Sequence, residues 1–159
     1  MSVLTSYTGR LNPLNSSRSK MKTTDPKEVV INAWKTFKTR DAKFIAELFT
    51  SDAEWIAPAG NATAVALKHA DHMIGPDQIA NFIALEMHHL FSNIDISFRG
   101  IHADGNTVIV EERMRATLPG GKPYENDYCF VFVVSGDCIK QVREYMDTRK
   151  GWQMIFEPD

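Results

Sequence analysis

The chain has 159 residues, with 18 basic and 20 acidic side chains and a formal net charge of −2. That length suits one domain whose core needs no disulfide support, and 43% apolar with 24% charged residues is an ordinary water-soluble composition. The near-balanced charge lacks the basic face that nucleic acid demands, and no apolar run nears the ~18 residues that span a bilayer.

Residues 1–24 carry Arg10, Arg18, Lys20 and Lys22 and no acid. They read as an N-terminal surface arm, with an organelle transit peptide as the alternative. Asp25-Pro26 then opens a helix, aspartate as cap and proline at the first helical position. Val29, Val30, Ala33, Trp34 and Phe37 recur at helical spacing. Ala42, Ile45, Leu48 and Phe49 predict a second, shorter helix. A strand over 52–58 ends at Pro58.

Residues 59–73 lack strong periodicity and read as a loop or lid. Gly75-Pro76-Asp77 starts a third helix with Ile79, Phe82, Ile83, Leu85 and Leu90 turned inward. Strand-type segments follow at about 94–103, 106–118, 123–134 and 138–149. Asp104-Gly105-Asn106 and Ser135-Gly136-Asp137 mark hairpins, and Pro119-Gly120-Gly121 a wider turn. Residues 151–159 read as a C-terminal tail. Helices segregated from an antiparallel meander make an α+β fold, here a domain over 25–150. A strongly curved sheet wrapped on three helices leaves a conical pocket.

With a turn at Ser135-Gly136, Cys129 would oppose about Val142, and Cys138 about Val133. The two cysteines are then not opposite each other, so both read as unpaired packing residues in a reducing, cytoplasmic setting. His69 and His72 lie three apart, but no third ligand stands at suitable spacing. Nucleotide, dinucleotide and G-x-S-x-G signatures are missing. No metal or cofactor is expected.

The element order, with Ala53-Glu54-Trp55-Ile56-Ala57-Pro58-Ala59-Gly60, Ile74-Gly75-Pro76-Asp77-Gln78-Ile79 and Val142-Arg143-Glu144-Tyr145-Met146-Asp147, resembles the nuclear transport factor 2-like superfamily. Within it the chain is most similar to the SnoaL-like and ketosteroid-isomerase-like branch. The resemblance implies a cone-shaped α+β barrel, a deep cavity and frequent homodimers, but not one reaction. Steroid-isomerase acids map to Ala57 and Phe130, which argues against that mechanism. The Arg-x-Asp pair of limonene-epoxide-hydrolase-like members reads Arg113-Met114-Arg115 here, with Glu144 as the last acid.

The resemblance puts Glu144 inside the cavity, where an apolar setting would raise its pKa into the useful range. On the neighbouring strand the readings conflict. Periodicity alone buries Val108, Val110, Met114 and Ala116 and exposes Glu111, Arg113 and Arg115. The resemblance turns the arginines to the cavity and the apolar row to a dimer partner, and this second reading is preferred here. Asn126, Tyr128, Phe130 and Phe132 form one apolar face of the next strand; Cys129, Val131 and Val133 form the other, which also calls for a cover. The candidate catalytic set is thus Glu144, Arg113 and Tyr128. Trp55, Phe82, Glu86, Arg115, Asn126, Phe130, Met146 and His72 would contact the ligand. The expected function is a cofactor-free acid–base enzyme on a small apolar molecule, with a non-catalytic binding module as the rival.

Overall fold

A computed structural model describes residues 25–157, so the arm expected over 1–24 lies outside the described residues. Asp25 caps α1 (Pro26–Phe37), accepting from the Lys27 amide at 3.0 Å, with Pro26 in the first turn. Val29, Val30, Ala33, Trp34 and Phe37 form its buried face. Asp41 caps α2 (Ala42–Ala46) through the Lys43 and Phe44 amides.

The second helix stops sooner than its apolar spacing predicts. Phe49 begins strand β1 (Phe49–Ile56) instead, because the Ile139 amide donates to Leu48 O at 2.8 Å and draws the chain into the sheet. Phe49 is buried there and stacks on Phe37.

The expected loop 59–73 holds a short helix, α3 (Ala62–Leu67), and a three-residue strand, β2 (His72–Ile74). Asn61 caps α3 by accepting from the Ala64 amide at 3.0 Å. A six-residue helix is too short to display a periodic stripe, so only the cap could have announced it. Helix α4 (Pro76–Ala84) gives way to a 3-10 turn over Glu86–His89.

Strands β3 (Ser92–Asp104), β4 (Thr107–Thr117), β5 (Pro123–Ser135) and β6 (Cys138–Met146) form the predicted meander. The sheet order is β2-β1-β6-β5-β4-β3. It is a mixed sheet, since β1 runs parallel to β6 while the other neighbours are antiparallel. Cys129 faces Tyr145 and Cys138 faces Ser135, because the hairpin turns at Gly136-Asp137 and an irregularity between Val133 and Val134 shifts the pairing by one more residue beyond it. Both cysteines are free.

The last strand ends at Met146. Asp147 then caps a further helix, α5 (Thr148–Phe156), through the Lys150 amide at 2.9 Å. The expected tail is thus a helix packed against α3 and β5. Helix α1 lies across β3, β4, β5 and β6. Val108, Val110, Phe132, Ile139 and Val142 are fully buried beneath it. Trp34 meets Phe37, Phe98, Phe130 and Phe132 edge-on at 5.3–6.3 Å, the preferred geometry for aromatic pairs. None of the described helices is long and apolar enough to cross a membrane.

Candidate functional site

The sheet and the helical layer enclose a cavity of about 650 Å³, within the range that holds a drug-sized molecule. Its position follows from the pleat. In β4 the residues Val108, Val110, Glu112, Met114 and Ala116 share one face and are all buried. In β5 the same side carries Asn126, Tyr128, Phe130 and Phe132. Cross-strand register sets Glu112 beside Tyr128 and Tyr128 beside Met146. One step along, Val110, Phe130 and Glu144 make the next row. Two carboxyl groups therefore reach the same cavity from strands on either side of β5.

Glu144 accepts a hydrogen bond from Trp55 Nε1 at 2.7 Å. Burial pushes its pKa up to about 7, and the indole bond only partly opposes that rise. What surface Glu144 keeps is that of a cavity-lining group. Glu112 is 3% exposed, and its Oε2 has no partner. Burial, together with the charge of Glu144, pushes it up to about 8. At neutral pH this leaves Glu112 mostly protonated and Glu144 the group nearest half-ionisation, a state in which a carboxyl can give or take a proton. Tyr128 stays protonated, because burial raises its pKa well above the ordinary value. Its hydroxyl lies 2.7 Å from that of Tyr124.

Among the described residues, the buried side-chain polar atoms without a partner are Trp34 Nε1, His69 Nε2 and Glu112 Oε2. All three side chains line this cavity. Each such atom costs about 1–3 kcal/mol against a bonded one. The unbalanced polarity of the fold is thus concentrated at one place.

Five of the sequence-predicted residues meet here: Glu144, Tyr128, Trp55, Phe82 and Phe130. Ala57 and Phe130, where isomerases of this fold carry acids, also line the wall. The arginines do not, and the expectation for them is corrected. Arg113 points to the outer face and grips Asp127 with two bonds of 2.7 and 2.9 Å. Arg115 pairs with Glu125 at 2.9 Å beside it. An alignment offset of one residue reverses every side chain of a strand. The plain apolar alternation of β4 was the better guide, and it puts the polar row outside.

The other expected contacts also lie off the cavity lining. Asn126 is fully buried but donates to Asp147 O at 3.0 Å, tying β5 to the start of α5. Met146 flanks Tyr128 at the end of β6. Glu86 sits behind His69, 2.6 Å from its Nδ1. His72 is exposed and pairs with Glu54 at 2.9 Å, because β2 turns it away from the cavity. Glu112 was missed, although one signal marked it: a single acid inside the apolar row of β4.

The description "SnoaL-like domain" belongs to the family model that matches residues 30–142. No curated protein matches in sequence. A nuclear transport factor 2-like protein of unknown function from Burkholderia pseudomallei is similar in structure, with a TM-score of 0.72 at 16% identity over 84% of this chain and 99% of that one. A putative SnoaL-like polyketide cyclase from Jannaschia gives 0.69 at 15% identity, over 84% and 93%. An LEH-like epoxide hydrolase from M. tuberculosis gives 0.65 at 17%, over 84% and 90%. At such identities the likeness is one of fold.

Proposed function

The chain belongs to the SnoaL-like domain family of the nuclear transport factor 2-like superfamily, and from that premise we propose that it is a cofactor-independent acid–base enzyme acting on a small, largely apolar organic molecule. One observation carries the reading. Two carboxyl groups with raised pKa values, one of them lacking any partner for its buried oxygen, converge on a cavity walled by aromatic rings.

Glu144, oriented by Trp55, takes a proton from the substrate or returns one. Glu112 supplies the proton at the second position, and Trp34, Phe82 and Phe130 hold the apolar body. Arg113 has no part, because it faces away. Such a pair serves isomerisation, cyclisation, hydration or dehydration, which all move protons without a redox step. The polyketide cyclase and the epoxide hydrolase among the structural relatives support that range. The free cysteines support a cytoplasmic setting. For a second copy of the chain the outer sheet face is the proposed seat, where Ile109 and Tyr145 stay exposed among the ion pairs of Arg113 and Arg115.

The test is a panel of phenols, quinones and cyclic ketones, with binding followed by tryptophan fluorescence and conversion by mass spectrometry. A converted compound should bind Glu144→Gln about as well as wild type and turn over about 10²–10⁴-fold more slowly. Compounds that bind with no conversion would make the protein a ligand-holding module instead.

A further inference from the structure

His69 takes no part in the proton transfer proposed above, yet its side chain is held in place on the helical side of the cavity. Helix α3 closes with the His69 amide donating to Ala64 O at 2.9 Å and the Lys68 amide to Val65 O at 3.3 Å. This is the Schellman arrangement, in which the residue after the helix turns left-handed. Here that residue is Lys68, at φ 53° and ψ 42°, where glycine would be unstrained. The turn delivers His69 into the wall.

Two contacts then hold the ring, and a third holds its partner Glu86. Nδ1 lies 2.6 Å from Glu86 Oε2. The other oxygen of Glu86 accepts from Asn81 Nδ2 at 2.5 Å. Phe82 stacks on the imidazole with centroids 4.6 Å apart and planes 22° apart. The side chain is only 10% exposed, and Nε2 has no partner. In its neutral form, with Nδ1–H given to Glu86, the ring presents a lone pair at Nε2.

A ring held by Glu86 at Nδ1 and by Phe82 on its face, and unsatisfied at Nε2, is arranged to receive a hydrogen-bond donor. We propose that His69 Nε2 is a second polar anchor of the cavity, accepting a hydrogen bond from a ligand hydroxyl on the helical wall while Glu112 and Glu144 act from the sheet wall. The substrate class is then a hydroxylated ring compound and not a bare hydrocarbon. Glu86 and Asn81 are positioning residues, fixing the tautomer and the angle of the ring. The proposal rests on the ligand-binding reading of the cavity.

The experiment compares 2-naphthol with 2-methoxynaphthalene, its methyl ether, which keeps the ring and the oxygen but has no hydroxyl donor. Calorimetry gives affinities, and imidazole ¹⁵N spectra of the full chain report on His69. Wild type should bind the naphthol about tenfold more tightly, the worth of one hydrogen bond. The Nε2 resonance should move with the naphthol and not with the ether. His69→Phe, which keeps a ring against Phe82, should abolish the preference, and Glu144→Gln should keep it. An unmoved Nε2 resonance in the naphthol complex would overturn the proposal, and that spectrum needs no variant to fold. A preference that survives His69→Phe and vanishes in Glu144→Gln would also overturn it. If neither compound binds the wild type, the ligand-binding reading fails, and the anchor with it.

Discussion

Replacing Glu112 by glutamine should abolish much of the pH dependence of stability that the wild-type fold carries. The carboxyl rises from an ordinary 4.5 to about 8 on folding. Below pH 4.5 it is protonated in both states, and its ionisation contributes nothing to stability. As pH rises, the unfolded chain releases its proton first, and the native state is penalised until its own group ionises near pH 8. Each pH unit in that window is worth about 1.4 kcal/mol, so the loss approaches roughly 5 kcal/mol at pH 8. Glu144 adds a smaller loss of the same sign between 4.5 and about 7. The neutral amide removes the Glu112 share but brings a buried group without a ready partner, a charge of about 1–3 kcal/mol against it. Urea unfolding from pH 5 to pH 8 reads both effects. Glu112→Gln should be more stable than wild type by about 2–4 kcal/mol at pH 8, and equal or slightly weaker at pH 5. Wild-type and variant curves that run parallel across that range would refute a protonated Glu112 in the native state.

Trp55→Phe removes the indole N–H that favours ionised Glu144. The Glu144 pKa should therefore rise further, by about one pH unit, in carboxyl ¹³C spectra. Asn126→Ala cuts the bond to Asp147 O; it should cost about 1–3 kcal/mol and speed amide exchange across 148–156. Arg113→Ala breaks a partly exposed pair on the outer face, so it should change stability little and leave ligand affinity in the cavity unchanged. A large loss of affinity there would restore the inward register.

The fold was legible where physics leaves local marks. Asp25-Pro26 and Gly75-Pro76-Asp77 are helix starts that need no tertiary context, and the turn residues at 104–106 and 135–137 punctuate the meander. Helices α3 and α5 were lost because their signals are single caps, Asn61 and Asp147, ahead of segments too short or too polar to show a stripe. Phe49 was read as helical since nothing local reveals its parallel pairing with Ile139. The cavity wall was half legible. The aromatic row of β5 and the inward Glu144 could be read from alternation and resemblance together. On β4 the two disagreed, and the resemblance, carried one residue too far, hid Glu112 and promoted Arg113. His69 stood out only as half of a histidine pair with His72, and its place in the wall was hidden, because its partners Glu86, Asn81 and Phe82 come from another helix and the turn after it.

The central claim is that Glu112 and Glu144 share one cavity as a proton-holding pair. Site-resolved carboxyl ¹³C titration of the unliganded wild type, repeated in Glu144→Gln, tests it most directly. Glu144 should titrate near 7 and Glu112 near 8. In the variant the Glu112 midpoint should fall, because the charge that helps to raise it is gone. Two independent titrations close to 4.5, with Glu112 indifferent to the change at 144, would contradict the account.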